Sequence, residues 1–385
     1  MKRLAAFLAG ASCLFGVTLA RAADIPPPGY RPTDMSSDEA GMWMQVDKME
    51  AEIKASPNLI RDEALNAYMR ELVCRLAGEH CGSIRVYIAD VPAFNAFMLP
   101  NGAMVVWSGL LLRARNEAQI SFVLGHEITH YLHKHSLERY RSAVNTAGAL
   151  VFVQIALGGA GLGAAGSLAT LAAIGGLMSY SRNQERDADA GGFAIATAGG
   201  YDPSEAAGIW RGVAAEDAVS PNRGRSAFFA SHPAPEERLA TMDKQASAER
   251  GKRNDWNVHE ANYRSSVAPF LARWIEAELS RGMAKESIVL FQRLAFEDAG
   301  KGLYHYGLGE AYRKRNEKGD AALALAAYRT ATACTEAPAE AWRGIGLVAM
   351  KDGDKQTAKD AFAAYRSHAP EATDKAMIDF YLMQL

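Results

Sequence analysis

Apolar positions along this chain repeat mostly at helical spacing. Between Glu117 and Leu132, the residues Ile120, Val123, Leu124, Ile128, Tyr131 and Leu132 recur at intervals that predict a helix. Asn116 stands where an N-cap belongs, and Gln119 three residues on completes a capping box. Upstream, Ser36–Asp38 opens an amphipathic helix that runs to about Ala55, and a second runs from about Asp62 to Ala77. Ile84, Val86 and Ile88 then alternate with Arg85 and Tyr87, the pattern of a half-buried strand over Ile84–Ala89. Phe94–Leu99 is a second extended piece. Pro100-Asn101-Gly102 signals a turn, Ala103–Trp107 a third strand and Ser108–Arg113 a short helix. Ser204–Gly212 reads as a further helix with Ser204 as its cap.

Two stretches depart from this mixture. Ser142–Ser181 runs for 40 residues without a charge, with Gly158-Gly159-Ala160-Gly161 breaking two apolar segments. That length barely fails to supply two membrane crossings. A helical hairpin is expected, either buried or lying on a membrane surface, and its glycines suit a lid. The tail instead repeats. Trp342, Ile345, Gly346, Ala358, Phe362, Tyr365 and Pro370 keep the spacing of a tetratricopeptide unit. Gly319-Asp320, Ala324 and Tyr328 anticipate it 34 residues earlier, with Leu308, Gly309 and Tyr312 on the preceding helix. Ala268–Asp298 reads as a degenerate third pair, and Ala372–Leu385 as a cap. The expected fold class is α+β, mostly helical: a first domain with a small sheet over 23–245, a polar linker over 246–266 and an all-α repeat domain over 267–385.

At 49% hydrophobic and 22% charged, the chain of 385 residues is globular and long enough for two domains. Its formal charge of −2 gives no reason to expect nucleic acid. Lys2 and Arg3, the apolar run Leu4–Leu19 and Ala20-Arg21-Ala22 predict a cleaved signal peptide over 1–22, with a membrane anchor as the alternative. Cleavage removes three cations and takes the charge from −2 to −5. The protein is then exported, expected in the periplasm, where Cys74 and Cys81 could pair. Two free thiols remain the alternative, and Cys334 reads as a small core residue.

Candidate chemistry sits on the predicted helix at 117–132. His126-Glu127-Ile128-Thr129-His130 is HExxH. Residues i and i+4 share a helix face, so the two imidazoles can bind one Zn²⁺, with Glu127 alongside to take a proton from bound water. Catalytic zinc takes three protein ligands. Glu185 and Asp189, again four apart, supply candidates: Glu185 as third ligand, Asp189 as acceptor for a ligand histidine's distal N–H.

HExxH followed by ExxxD, with Ser181-Arg182 ahead of the glutamate, resembles the HtpX/BepA group of gluzincin metallopeptidases. His135, five past His130, fits the same pattern, as does Ser231-His232-Pro233-Ala234-Pro235-Glu236-Glu237-Arg238, an HP…R element. The resemblance covers residues 36–245 and extends to the repeat tail. It implies a zincin-like domain with one Zn²⁺, held by His126, His130 and Glu185, with Glu127 as the catalytic residue. It also implies that His232 gates the metal's open position, that Arg238 anchors its loop or faces substrate, and that Asn95–Phe97 or Ala103–Trp107 pairs with an extended substrate. The implied substrates are misfolded or misassembled envelope proteins, and the implied partner of the repeats is outer-membrane assembly machinery. A chaperone or assembly factor with a largely latent peptidase is the alternative, as is a repeat adaptor that keeps zinc for structure.

Overall fold

A computed structural model describes residues 25–144, 180–220, 228–229, 232 and 235–385. The predicted signal peptide lies outside these residues, as does residue span 145–179 of the uncharged stretch. No helix among the described residues is long and apolar enough to cross a membrane.

Two helices open the described chain, α1 (Asp38–Ala55) and α2 (Glu63–Ala77). Ser37 and Asp62 cap them, each accepting from a backbone N–H in the first turn. Cys74 near the end of α2 is disulfide-bonded to Cys81 in the turn that follows, so the two are not free thiols.

Three strands follow: β1 (Arg85–Ala89), β2 (Ala96–Met98) and β3 (Ala103–Trp107). The sheet order is β1-β3-β2, with β1 parallel and β2 antiparallel to β3. β3 is buried along its whole length because both faces are covered. Successive side chains point to opposite faces, so Met104 and Val106 join the large core around α2 and the zinc-motif helix. Ala103, Val105 and Trp107 face Met42, Val46 and Met49 of α1. The central position of β3 has a consequence for the expected substrate edge. Both edges of Ala103–Trp107 are occupied, which removes it as a pairing strand and leaves the outer edge of β2.

Glu50 of α1 ties this layer together. It accepts from Arg85 Nε and Nη2 at 2.6 and 2.7 Å, from Tyr87 Oη at 2.6 Å and from Asn101 Nδ2 at 2.7 Å. Burial works to raise its carboxyl, but Arg85 and Tyr87 outweigh it and hold the group at about 2. A depressed acid stabilises the fold above its ordinary value, and that contribution fades as pH falls toward 2. Glu50→Gln is therefore expected to cost about 1–2 kcal/mol at pH 7, discounted because its partner Arg85 is partly solvated. Denaturant titrations should show the gap closing between about pH 4 and pH 2. A gap that stays constant with pH would assign the loss to packing instead.

After the short helix α3 (Ser108–Arg113) come α4 (Glu117–Leu132) and α5 (His135–Val144). Asn116 caps α4 by accepting from Gln119 N at 2.9 Å, but the Gln119 side chain accepts from Arg115 N, so the expected box is shifted by one residue. α4 is buried on every side from Glu117 to Tyr131, as a helix through the centre of a core must be. Next come α6 (Arg182–Ala198), α7 (Gly208–Ala218) and α8 (Pro235–Glu249). The helix expected at Ser204 starts later. Asp202 accepts from Ser204 N and caps a 3-10 turn over Pro203–Glu205, with α7 beyond it.

The tail comprises α9 (Glu260–Val267), α10 (Leu271–Ser280), α11 (Ala284–Glu297), α12 (Gly302–Arg315), α13 (Asp320–Ala333), α14 (Glu340–Asp352), α15 (Lys355–His368) and α16 (Lys375–Gln384). From α10 onward the chain is all helical, with α12 packed against α11 and α13, and α14 against α15. Tyr328 and Phe362, in the aromatic slots, are fully buried. Cys334 is half-buried at the end of α13 rather than in the core. Residues 246–266, read from the sequence as a linker, include most of α9. Its Tyr263 is buried and donates to Leu111 O at 2.6 Å. One hydrophobic core runs from Ile60 through α4 and α7 to Ala361.

Candidate metal centre

The site is assembled where α4 and α6 cross. Gly125 and Gly192 make that approach possible. A Cβ on Gly192 would lie 2.5 Å from His126 N, and one on Gly125 would lie 2.9 Å from Gly192 O. With no side chain at either position, the backbones close up and the acidic face of α6 meets the histidine face of α4. Ser181 and Gln184 fix the start of α6 with a reciprocal capping box, which sets the rotation of the helix and hence where Glu185 points.

Four side chains converge there. His126 Nε2 lies 3.1 Å from His130 Nε2 and 3.2 Å from His232 Nδ1. Glu185 Oε1 is 2.9 Å from His232 Nδ1 and 3.6 Å from His130 Nε2, and Glu185 Oε2 is 3.7 Å from His126 Nε2. All four residues are buried and their donor atoms lie within 4.8 Å of one another. A tetrahedral ion with bonds of about 2.05 Å separates its donors by about 3.3 Å. The spacing and the N/O donor set therefore fit one zinc-sized cation. Charge agrees with that fit. Glu127 is fully buried and, among the described residues, neither carboxylate oxygen has a hydrogen-bond partner. Burial pushes its carboxyl well up, with Glu185 adding to the effect and Arg238 opposing it. A nearby dication offsets both penalties.

Burial holds His130 well below its ordinary value, aided by the neighbouring His126 and His232, so it is neutral, the form that ligates. Burial also lowers His232, against the pull of Glu185. For Glu185, burial works upward, but His232, His126 and Arg238 more than offset it and the group stays ionised.

The supporting residues fall into two sets. His126 Nδ1 is 3.0 Å from Asp189 Oδ1, which orients the ring so that Nε2 faces the cluster. Asp189 is held in turn by Arg238, which donates Nε to Oδ2 at 2.8 Å and Nη2 to Oδ1 at 2.7 Å. Burial raises the Asp189 carboxyl, but Arg238 and His126 outweigh it and hold it at about 2. Arg238 also reaches Glu185 Oε2 at 3.2 Å and lies 4.8 Å from the Trp210 ring centre. It thus anchors the cluster from behind, tying Glu185 and Asp189 of α6 to α8. On the other side, His135 Nδ1 is 2.9 Å from His130 Nδ1, and His135 Nε2 is 3.2 Å from Asp187 Oδ2.

Every site residue named from the sequence is thus in one place. Three aromatic residues were not legible there. Tyr180 stacks on His130 with ring centres 3.7 Å apart, Phe228 stacks on His232 at 4.2 Å, and Trp210 closes the back of the pocket behind His126 at 6.1 Å. Tyr180 stands directly before the Ser181 cap, which was the available signal. Nothing in local spacing marks Trp210 or Phe228.

The model of peptidase family M48 matches residues 51–246. The chain is 29% identical over 218 residues to the beta-barrel assembly-enhancing protease of Escherichia coli strain K12, covering 54% of this chain and 44% of that protein. It is 30% identical over 161 residues to the mitochondrial metalloendopeptidase OMA1 of Schizosaccharomyces pombe, covering 41% and 45%. A 28% match over 197 residues to a putative beta-barrel assembly-enhancing protease of Vibrio cholerae covers 49% of this chain and 40% of that one. The chain therefore spans less than half the length of these relatives.

Proposed function

The chain belongs to peptidase family M48, and from that premise we propose that it is an exported zinc-dependent endopeptidase acting on misfolded or misassembled envelope proteins. One observation carries the reading: the donors of His126, His130 and Glu185 converge beside a buried Glu127 carboxylate that has no hydrogen-bond partner among the described residues, its Oε1 3.8 Å from His232 Nε2. His126, His130 and Glu185 would hold the ion. Bound there, zinc supplies an acidified water and polarises the scissile carbonyl. Glu127 takes the proton from the attacking water and delivers it to the leaving amine nitrogen. Asp189 and Arg238 keep His126 turned toward the cluster, and His135 does the same for His130. Tyr180, Trp210 and Phe228 exclude bulk water. The outer edge of β2, which pairs with no other strand among the described residues and adjoins α4, suits strand addition by an extended peptide.

Export is supported by the sequence of residues 1–22 and by the Cys74–Cys81 disulfide, which persists in oxidising compartments such as the periplasm. The name of the Escherichia coli and Vibrio relatives supports outer-membrane β-barrels as clients. Outer-membrane assembly machinery is the proposed partner of the helical tail, and residues 142–181 are the proposed membrane-surface contact. The test is metal removal. Cleavage of an unfolded polypeptide by the purified chain should disappear on chelation and return with Zn²⁺. Cleavage that persists in a chain shown to be metal-free would overturn the reading.

A second reading has its own support. His232 Nδ1 lies 2.9 Å from Glu185 and 3.2 Å from His126 Nε2, in the place of a fourth ligand. That geometry suits a resting, latent peptidase in a protein that acts mainly as an assembly factor. His232→Ala is then expected to raise basal proteolysis several-fold. A rate unchanged or lowered removes the latency.

A further inference from the structure

A second group of donors lies next to the first. Lys134, at φ 54°, takes a left-handed conformation between α4 and α5. That bend turns His133 and His135, two positions apart, toward the same point on α6. There they meet Asp187. His133 Nδ1 contacts Asp187 Oδ2, and His135 Nε2 reaches the same oxygen at 3.2 Å. Asp187 is two residues from Glu185 and so points away from the first cluster, about 200° round the helix. One ligand atom from each of the three residues lies within 4.8 Å of the others. Among the described residues, no lysine or arginine pairs with Asp187. The neighbouring Arg186 is engaged by Glu237 and Asn183, and Lys134 by Glu39 and the Tyr30 ring.

We propose that His133, His135 and Asp187 form a second divalent-cation site that takes Zn²⁺ at the rim of the first. Two imidazoles and one carboxylate are a borderline donor set, which selects Zn²⁺ and its neighbours over Mg²⁺ or Ca²⁺. Three protein donors leave the remaining position to water, and the exposure of Asp187, at 49%, gives the ion an entry path. The site pins the turn between α4 and α5 to α6, the two helices that carry the first site's ligands. His135 Nδ1 also lies 2.9 Å from His130 Nδ1; with both rings ligating through Nε2 that contact holds a single proton between them, so filling the second site releases one proton to solvent.

The experiment is a zinc count on the purified full chain, stripped with chelator, reloaded with ZnCl₂ and freed of unbound metal. The wild type is expected to hold two equivalents, His133→Ala/Asp187→Asn one, and His126→Ala one. Both targeted positions of the double variant are at least partly exposed, and circular dichroism should show an unchanged fold. Should the double variant misfold, Asp187→Asn alone, which keeps the side-chain shape, is expected to lower the count. A double or single variant that folds and holds as much zinc as the wild type overturns the proposal. The proposed peptidase centre is judged separately, by whether His126→Ala loses its equivalent.

Discussion

Glu127→Gln is expected to lower the rate of peptide cleavage by about a thousandfold while leaving bound zinc and the folded structure intact. General-base catalysis by a positioned side chain contributes roughly 10²–10⁴ in rate, so a thousandfold loss corresponds to about 4 kcal/mol of barrier. Glutamine keeps the shape of the side chain but cannot take a proton. The structure gives reason to expect the fold to survive. Neither oxygen of Glu127 has a hydrogen-bond partner among the described residues, and His232 Nε2 stands 3.8 Å from Oε1, so no hydrogen bond is lost. Burial and the adjacent Glu185 both work against the charged form, and the neutral amide is free of that penalty. The variant should melt at the wild-type temperature or above it, the pattern expected where a group is kept for chemistry at the expense of stability. Zinc content by emission spectroscopy and cleavage of an unfolded polypeptide are the two readouts. Undiminished cleavage in the variant would remove this site as the source of the activity.

The zinc motif was legible because its information is local. His126 and His130 share a face of α4 by spacing alone, as Glu185 and Asp189 do on α6. The HP…R element was likewise readable as residues, and the structure gives its arginine a role. Arg238 clamps Asp189 with two hydrogen bonds and has Glu185 of the same helix within reach. What local pattern does not hold is the depth of contact between helices. Gly125 and Gly192 look ordinary in the sequence, yet they let α4 and α6 close to the point where four donors meet. Short strands gave up their order for a related reason. Ile84–Ala89, Phe94–Leu99 and Ala103–Trp107 announce strands, but alternation says nothing of which one is central, and β3 proved to be the inner one. At the helix expected from Ser204, the cap proved to be Asp202, two residues earlier and not read from the sequence. The tail was legible as helix pairs because each pair repeats its own turn and aromatic slot. Its attachment to the first domain was not.

Arg113 lies at that attachment, within the shared core, and the second large effect is expected there. Arg113→Met should destabilise the protein by about 3–5 kcal/mol, the range for removing one partner from a buried ionic group. Arg113 is 1% exposed at the end of α3. It donates Nε to Glu216 Oε2 of α7 at 2.8 Å and Nη2 to Glu278 Oε2 of α10 at 2.9 Å. The partners lie 103 and 165 residues away, which is why no window of sequence exposes them. Burial raises Glu216, and Arg113 opposes it only in part. For Glu278, burial also works upward, but Arg113 and Arg281 outweigh it and hold the group down. Methionine fills the space and supplies no charge, so two carboxylates are left buried, with Glu216 deprived of its donor. Because Arg113 bonds α7 and α10 at once, the loss should fall on the peptidase region and the repeats together. A single unfolding transition shifted to lower denaturant, with tryptophan fluorescence and circular dichroism superimposed, is the expected record. Adding Glu216→Gln and Glu278→Gln should restore part of the loss, since the stranded charges go with them. Two separate transitions, only one of them moved by Arg113→Met, would show instead that the repeats fold as an independent unit and that the shared core contributes little to either.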